Sequence, residues 1–185
     1  MRKLVVEENL ELRELKPEDS VEIAAVVENC FDHLTTWLPW VNSTYTAKDT
    51  KVFIKRARIL SEQGRGLQMA VVQNGRIVGG IGFNNIDTVN RVAEIGYWLS
   101  ESATGKGLMT KCCKALVDHG FRELGLNRIV IRCATENTKS QAIPLRLGFT
   151  FEGISREAEK LHNKYVDLKV YSLLSSDKKP FDQRA

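Results

Sequence analysis

Gly105 and Gly107 stand between an apolar, aromatic run, Glu94-Ile95-Gly96-Tyr97-Trp98-Leu99, and a run opening Leu108-Met109-Thr110 that has helical character. The order is strand, glycine turn, helix. Such a joint gathers unpaired backbone N–H groups and the positive end of a helix dipole at one point, where a phosphate can sit. The chemistry on offer is main-chain anion binding. A P-loop needs Ser or Thr directly after Gly-Lys, but Gly107 follows Lys106 and the leading glycine position holds Ser100. The dinucleotide fingerprint fails as well, because its third glycine would fall at Thr110. A plainer alternative stays open at this point: the two glycines supply positive φ at an ordinary strand-to-helix joint.

The surrounding elements must hold that loop. Leu10 and Leu12 alternate with polar residues as a first strand, and Pro17 suits the start of a helix carrying Val21, Ala24, Ala25 and Val27. A short helical stretch from Asp32 leads into Trp37-Leu38-Pro39-Trp40, which reads as an aromatic plug on the core. Thr46-Ala47-Lys48-Asp49 resembles a capping box ahead of an apolar stripe of Val52, Phe53, Ala57 and Leu60, ended by Gly64. Leu67 to Gln73 and Ile77 to Phe83 form a hairpin around Asn74-Gly75. Gly79, Gly80 and Gly82 lie inside that second strand, where close packing explains them better than a phosphate site.

Strand Ala93 to Leu99 then feeds the cradle, and the helix from Lys106 runs through Cys112, Leu116 and Phe121 to Gly125. The buried-type strand Asn127 to Ala134 completes a βαβ unit, so these two strands are expected to be parallel. Ligands of such units bind at the carboxyl ends of the strands, which is where the cradle lies. Thr135 to Ser140 provides N-cap residues for a short amphipathic helix stopped by Gly148-Phe149, with Asn137 or Thr138 as the cap. A strand from Phe151, a polar connection through Glu159, His162 and Lys164, and a closing strand with Val166, Leu168 and Val170 follow. The tail from Asp177 is polar and expected to be loose.

With 185 residues the chain suits one domain, 1–185, able to bury a core without disulfides or metal. The composition, 43% hydrophobic and 27% charged, is that of an ordinary globular protein. A net charge of +4, carried by scattered Lys and Arg, permits a nucleic-acid or ribosomal neighbour without implying one. Cys30, Cys112, Cys113 and Cys133 have no CxxC spacing, so no metal site is expected and reduced thiols are. No run is long enough to span a bilayer and the N-terminus lacks an apolar signal core, which points to the cytoplasm.

From Glu94 to Phe149 above all, and over nearly the whole chain to about Leu174, the sequence resembles the GCN5-related N-acetyltransferases (GNAT), in the RimJ/RimL branch with its YdaF-like group. The residues that carry the likeness are the aromatic strand, the glycine loop, and Asn137, Ser140 and Leu147-Gly148-Phe149 behind it. The resemblance implies an α/β fold: a mixed, twisted sheet of about seven strands with helices on both faces. It also implies two central strands, here 93–99 and 127–134, that splay apart, and it likens Trp37-Leu38-Pro39-Trp40 to a segment beside the peptide entrance, a second reading next to the aromatic plug. It further implies acetyl-CoA as cofactor. Its pyrophosphate would lie on amides from Gly105, Lys106, Gly107, Leu108, Met109 and Thr110, and its thioester carbonyl near the backbone of Tyr97, Trp98 and Leu99, with Asn137 and Ser140 on the cofactor side. Thr104 and Met109 depart from the residue types usual in the family loop. Many relatives place a tyrosine general acid where this chain has Pro144, so the resemblance assigns the proton for the departing thiolate to Ser140. Pro144 also removes a backbone donor, which should shorten or kink its helix.

For the base the resemblance points to Glu159, with Glu94 at the start of the splayed strand as rival. Both can equally be plain surface charges. His33, His119 and His162 qualify by type only. An N-terminal α-amine, with a pKa of about 7.7–8.0, needs far less help than a lysine at about 10.4. The expected reaction is direct attack, in a ternary complex, by the α-amine of a protein N-terminus, a ribosomal protein being the family's example. A small amine such as an antibiotic or polyamine, and a non-enzymatic CoA sensor, are the alternatives. Family habit adds a homodimer.

Overall fold

The computed structural model describes residues 2–177. The expected loose tail beyond Asp177 lies outside the described residues. In chain order the elements are β1 (Lys3–Glu7), β2 (Leu10–Glu14), α1 (Asp19–Asn29), α2 (Phe31–Thr35), α3 (Ala47–Glu62), β3 (Leu67–Gln73), β4 (Arg76–Asp87) and β5 (Val92–Leu99). They continue with α4 (Leu108–Arg122), β6 (Arg128–Ala134), α5 (Thr138–Arg146), β7 (Thr150–Leu161) and β8 (Lys164–Leu174). One eight-stranded sheet runs β1-β2-β3-β4-β5-β6-β8-β7. β5 and β6 are parallel and the other neighbours antiparallel.

The fold therefore has one strand more than the expected seven. The additional strand is β1, where Leu4 and Val6 alternate with exposed neighbours and pair with β2. Its period-2 signal spans only a few residues beside charged ends, too short to stand out in the letters.

Helices cover both faces of the sheet, and β3 shows how. Met69 and Val71 point into a cluster with Cys112, Cys113 and Leu116 of α4, while Ala70 and Val72 join Ile23, Val27 and Ile54 of α1 and α3. A strand buried on both sides must be apolar at every position, and Leu67 to Val72 nearly is. The Asn74-Gly75 turn closes the β3/β4 hairpin with φ of 51° and 75°, the left-handed pair that a two-residue turn demands. At the head of α3 the Asp49 carboxylate accepts from the Thr46 amide at 2.9 Å and hydroxyl at 2.7 Å. This ties down the first turn as the sequence pattern predicts.

The glycines of β4 are packing glycines. A Cβ on Gly80 would stand 2.6 Å from the Trp98 indole nitrogen, so the flat ring of Trp98 lies directly on bare backbone.

The far edge of the sheet is held by charge. Arg128 of β6 makes a bidentate pair with Glu152 of β7, and Ser172 of β8 donates to the same carboxylate at 2.7 Å. These bonds hold the Glu152 carboxyl down from 4.5 to about 2. A depressed carboxylate contributes stability above its unfolded pKa and loses it as pH falls through the folded value. Glu152→Gln should therefore lower stability at neutral pH by about 1 kcal/mol or less, the scale of a part-exposed pair. Urea unfolding of both forms, repeated between pH 7 and pH 2.5, should show the gap closing as acid protonates Glu152.

Candidate active site

β5 and β6 pair over four positions only, from Val92↔Arg128 to Ile95↔Ile131. Beyond Ile95 the strands part. β5 continues on β4 to Leu99, and β6 continues on β8 to Ala134, so each stays anchored on its outer side. The inner edge of Gly96 to Leu99 then has no strand partner, and a cleft of about 1320 Å³ opens there. Typical small-molecule sites enclose about 300–1,000 Å³, so this cleft has room for a large ligand and a second reactant.

At one end of the cleft lies the glycine loop. Gly105 and Gly107 adopt φ of 75° and 73°, and a Cβ at either would meet nothing within 4 Å. Glycine here serves backbone conformation, and the missing side chains leave the loop bare. The first helical bond of α4 runs from the Lys111 amide to Gly107 O at 3.2 Å, so the amides of Gly105 to Thr110 precede the helical ladder. Gly107 caps α4 without a side-chain bond. Free amides, a bare loop and a helix N-terminus fit a pyrophosphate.

Of the residues singled out from sequence, the cleft is lined by Glu94, Tyr97, Trp98, Leu99, Gly105, Gly107, Leu108, Met109, Thr110, Asn137, Ser140 and Glu159. Lys106 stands apart. Its ammonium turns back to donate to Ser102 O at 2.8 Å, bracing the 3₁₀ turn Glu101–Ala103 that leads into the loop. The cation that does line this end is Lys111, one turn into α4 and paired with Glu7 of β1 at 2.6 Å. That partnership joins residues far apart in sequence, so no local pattern announces it.

In the middle of the cleft, α5 meets the splayed strands. The Asn137 side chain caps α5 by accepting from the Ser140 amide at 3.0 Å. Ser140 Oγ donates to Cys133 Sγ at 3.2 Å and lies 3.0 Å from Tyr97 Oη. Burial raises both the Cys133 thiol and the Tyr97 phenol, so both remain protonated near neutral pH. The expected shortening of α5 at Pro144 is corrected: the helix carries on to Arg146 with Pro144 inside it.

At the other end sit the two carboxylates. Glu94 is engaged by Arg132 Nη2 at 2.7 Å. Glu159 belongs to β7 itself, which corrects its expected place in a loop, and a register shift between Ser155 and Glu159 re-aims the strand there. It is partly buried, and its pKa is raised by desolvation, against the pull of Arg132 and with the push of Glu94. An unpaired carboxylate with raised pKa is the better proton acceptor of the two. Of the three histidines, only His33 lines the cleft. His162 bonds Thr35 O at 2.8 Å, tying the β7/β8 turn to α2. His119 sits on α4 with a buried Nε2 and a pKa lowered by burial.

The wall beyond these carboxylates is aromatic and apolar: Trp37, Trp40, Tyr45, Val52 and Phe53. Trp40 packs edge-on against Trp98 at 6.1 Å and tilted against Tyr45 at 5.3 Å. The two readings of the Trp37-Leu38-Pro39-Trp40 segment thus merge, because Trp40 packs on its neighbours and faces the cleft.

Comparison with known proteins agrees with this geometry. The family model of the acetyltransferase (GNAT) domain matches residues 9–150. The putative ribosomal N-acetyltransferase YdaF of Bacillus subtilis is 35% identical over 174 residues, covering 93% of this chain and 94% of that protein. The ribosomal-protein-serine acetyltransferase of Escherichia coli is 32% identical over 169 residues, covering 85% and 94%. Among solved structures, RimL, a ribosomal L7/L12 α-N-protein acetyltransferase in complex with coenzyme A, superposes with a TM-score of 0.89 at 29% identity, covering 94% of this chain and 98% of that one. A βαβ unit whose strands part beside a bare glycine loop, with these relatives over nearly its full length, makes the chain an acyltransferase of the GNAT family of N-acetyltransferases, in its RimJ/RimL branch.

Proposed function

We propose that this enzyme acetylates the N-terminal α-amine of a protein, with a ribosomal protein as the best candidate and acetyl-CoA as donor. The single observation that carries the choice of acceptor is the charge balance at the acceptor end of the cleft. Asp49 is consumed by the α3 cap, and Glu94 is paired with Arg132, while Arg56 lines the same wall. Glu159 is the carboxylate left over. A polyamine carries several cations and needs several unspent carboxylates, whereas one α-amine on an extended chain needs one base and an apolar wall. Two relatives, the ribosomal-protein-serine acetyltransferase and RimL, are named for ribosomal-protein acceptors, which points the same way.

Bound acetyl-CoA supplies the acetyl thioester. The amides from Gly105 to Thr110 would hold its pyrophosphate, and the backbone of Tyr97 to Leu99 would polarise the thioester carbonyl as a donor. Glu159 takes a proton from the incoming α-ammonium through water. As the N–C bond forms and the C–S bond breaks, Ser140 Oγ would give its proton to the departing thiolate, and the second proton of the amine nitrogen would pass through water to refill Ser140. An α-amine is already partly neutral at pH 7, so one weak base suffices.

Three measurements test this reading. Short peptides with free or blocked α-amines, incubated with acetyl-CoA and followed by mass spectrometry, should be acetylated only where the α-amine is free. Cofactor binding without any peptide product would overturn it in favour of a small amine or a sensor.

Gly107→Ala forces a side chain into left-handed backbone, at a cost of about 1–2 kcal/mol. The KM for acetyl-CoA should rise roughly tenfold, with kcat little changed, as expected when only cofactor binding is lost.

Glu159→Gln should lower kcat about 10- to 100-fold and remove the acid limb that lies above the ordinary carboxylate value of 4.5 in the pH profile. Because the fold raises this pKa, ionised Glu159 opposes folding at neutral pH. The glutamine variant should therefore melt no lower than the parent. A drop in melting temperature at pH 7 would show that Glu159 is structural.

A further inference from the structure

The oddest residue near the site is Pro144. In an unbroken α-helix the amide of position 144 donates to the carbonyl four residues earlier, which is Ser140 O. Proline has no N–H, so this carbonyl loses its helical partner in the part-buried interior of the cleft. A carbonyl left without a donor there is costly. The Tyr97 hydroxyl, reaching from β5 across the splayed gap, donates to Ser140 O at 3.1 Å. The Tyr97 hydroxyl oxygen also lies 3.0 Å from Ser140 Oγ.

We propose that Tyr97 is a positioning residue for the transfer: its hydroxyl fills the vacancy that Pro144 leaves on Ser140 and thereby fixes Ser140 Oγ at the point where the thiolate departs. This rests on the reading that Ser140 supplies the proton. A hydroxymethyl side chain at the first turn of a short helix has three staggered rotamers to choose from. One phenol touching both the carbonyl and the hydroxyl of the same residue restricts that choice from two directions.

Proton bookkeeping supports a positioning role over an acidic one. Burial pushes the Tyr97 phenol well above its ordinary value, so it keeps its proton and spends it on the Ser140 carbonyl. Tyr97 Oη and Cys133 Sγ are then the resting acceptors for the Ser140 hydroxyl, with Cys133 Sγ at 3.2 Å a weak one. A nascent thiolate is charged and attracts the same proton more strongly. The hydroxyl can swing outward without any proton leaving Tyr97. The S–H bond forms at the expense of Ser140 O–H, and the second proton shed by the amine nitrogen as the amide forms passes through water to restore the serine hydroxyl.

The test uses the full chain, acetyl-CoA and a free-α-amine peptide. Tyr97→Phe should lower kcat between about ten- and a hundredfold, the scale of a misplaced catalytic group, while the KM for acetyl-CoA stays within about twofold. Combined with Ser140→Ala, it should cost little beyond Ser140→Ala alone, because both changes disable one device. Pro144→Ala separates positioning from mere packing, since it returns a backbone amide to the Ser140 carbonyl. Added to Tyr97→Phe, it should recover the melting temperature but only a fraction of kcat.

Full recovery of kcat in that double variant would overturn the proposal by showing that Tyr97 only satisfies the carbonyl. Losses that multiply between Tyr97→Phe and Ser140→Ala would overturn it too. If Ser140→Ala turns over normally, the proton-donor reading and this inference fall together. If Ser140→Ala is slow and Tyr97→Phe is not, the inference alone falls.

Discussion

The structure depends on a parallel pair of strands that stops pairing after four rungs. Buried backbone groups in a sheet are almost always bonded, so strands separate mid-sheet only where something else holds them apart. Here each is fixed by its other neighbour, β5 by β4 as far as Leu99 and β6 by β8 as far as Ala134. The gap is kept open by side chains that meet across it, Tyr97 from β5 with Ser140 of α5 and Cys133 of β6. The inner edge of Gly96 to Leu99 is thereby available to a ligand with amide groups of its own, which docks as an added strand would. The bare loop at Gly105 and Gly107 ends the same strand, so one element aims both halves of the cleft.

Charge is apportioned along this cleft with little to spare. Arg132 sits on the open part of β6 and serves Glu94 directly, while its field also reaches Glu159. An Arg132 bonded equally to both would offset the desolvation of Glu159. Pairing Glu94 leaves Glu159 without a direct ionic partner among the described residues. The bulge in β7 makes this asymmetry, because a regular strand would place Glu159 elsewhere.

The sequence shows most of the scaffold and the half of the site made from backbone. The glycine loop, the Asn74-Gly75 hairpin, the Thr46 cap and the parallel βαβ unit each rest on contacts a few residues apart or on short periodic patterns, and letters record those well. What the letters do not record is partnership across the chain. Lys111 with Glu7, Arg132 with Glu94, and Lys106 with a carbonyl in its own approach turn are set by where elements land in space. Glu159 reads as loop because its stretch, Arg156 to Lys160, is polar and exposed on most sides, yet it pairs with Val166 as an edge strand. Pro144 is the sharpest case. As a helix breaker it predicts a shortened helix, but the missing bond is remade by a phenol 47 positions earlier in the chain, and α5 continues.

The glycines of β4 are joined to the aromatic wall of the cleft through Trp98. From sequence Gly79, Gly80 and Gly82 promise only close approach, without saying of what. At Gly80 the approaching group is the Trp98 indole, for which any larger residue would leave no room. Trp98 in turn supports Trp40, which is 39% exposed and lines the cleft, and Trp40 leans on Tyr45, whose hydroxyl lies 2.8 Å from Thr50 Oγ1 on α3. A residue with no side chain thus sets the position of three aromatic rings and links the sheet to α3. The aromatic wall of the cleft, which is the proposed acceptor surface, is built from the sheet outward. Its shape depends on backbone contacts several residues removed from any atom an acceptor would touch, which makes acceptor choice sensitive to substitutions in β4 that leave both the cradle and the carboxylates intact.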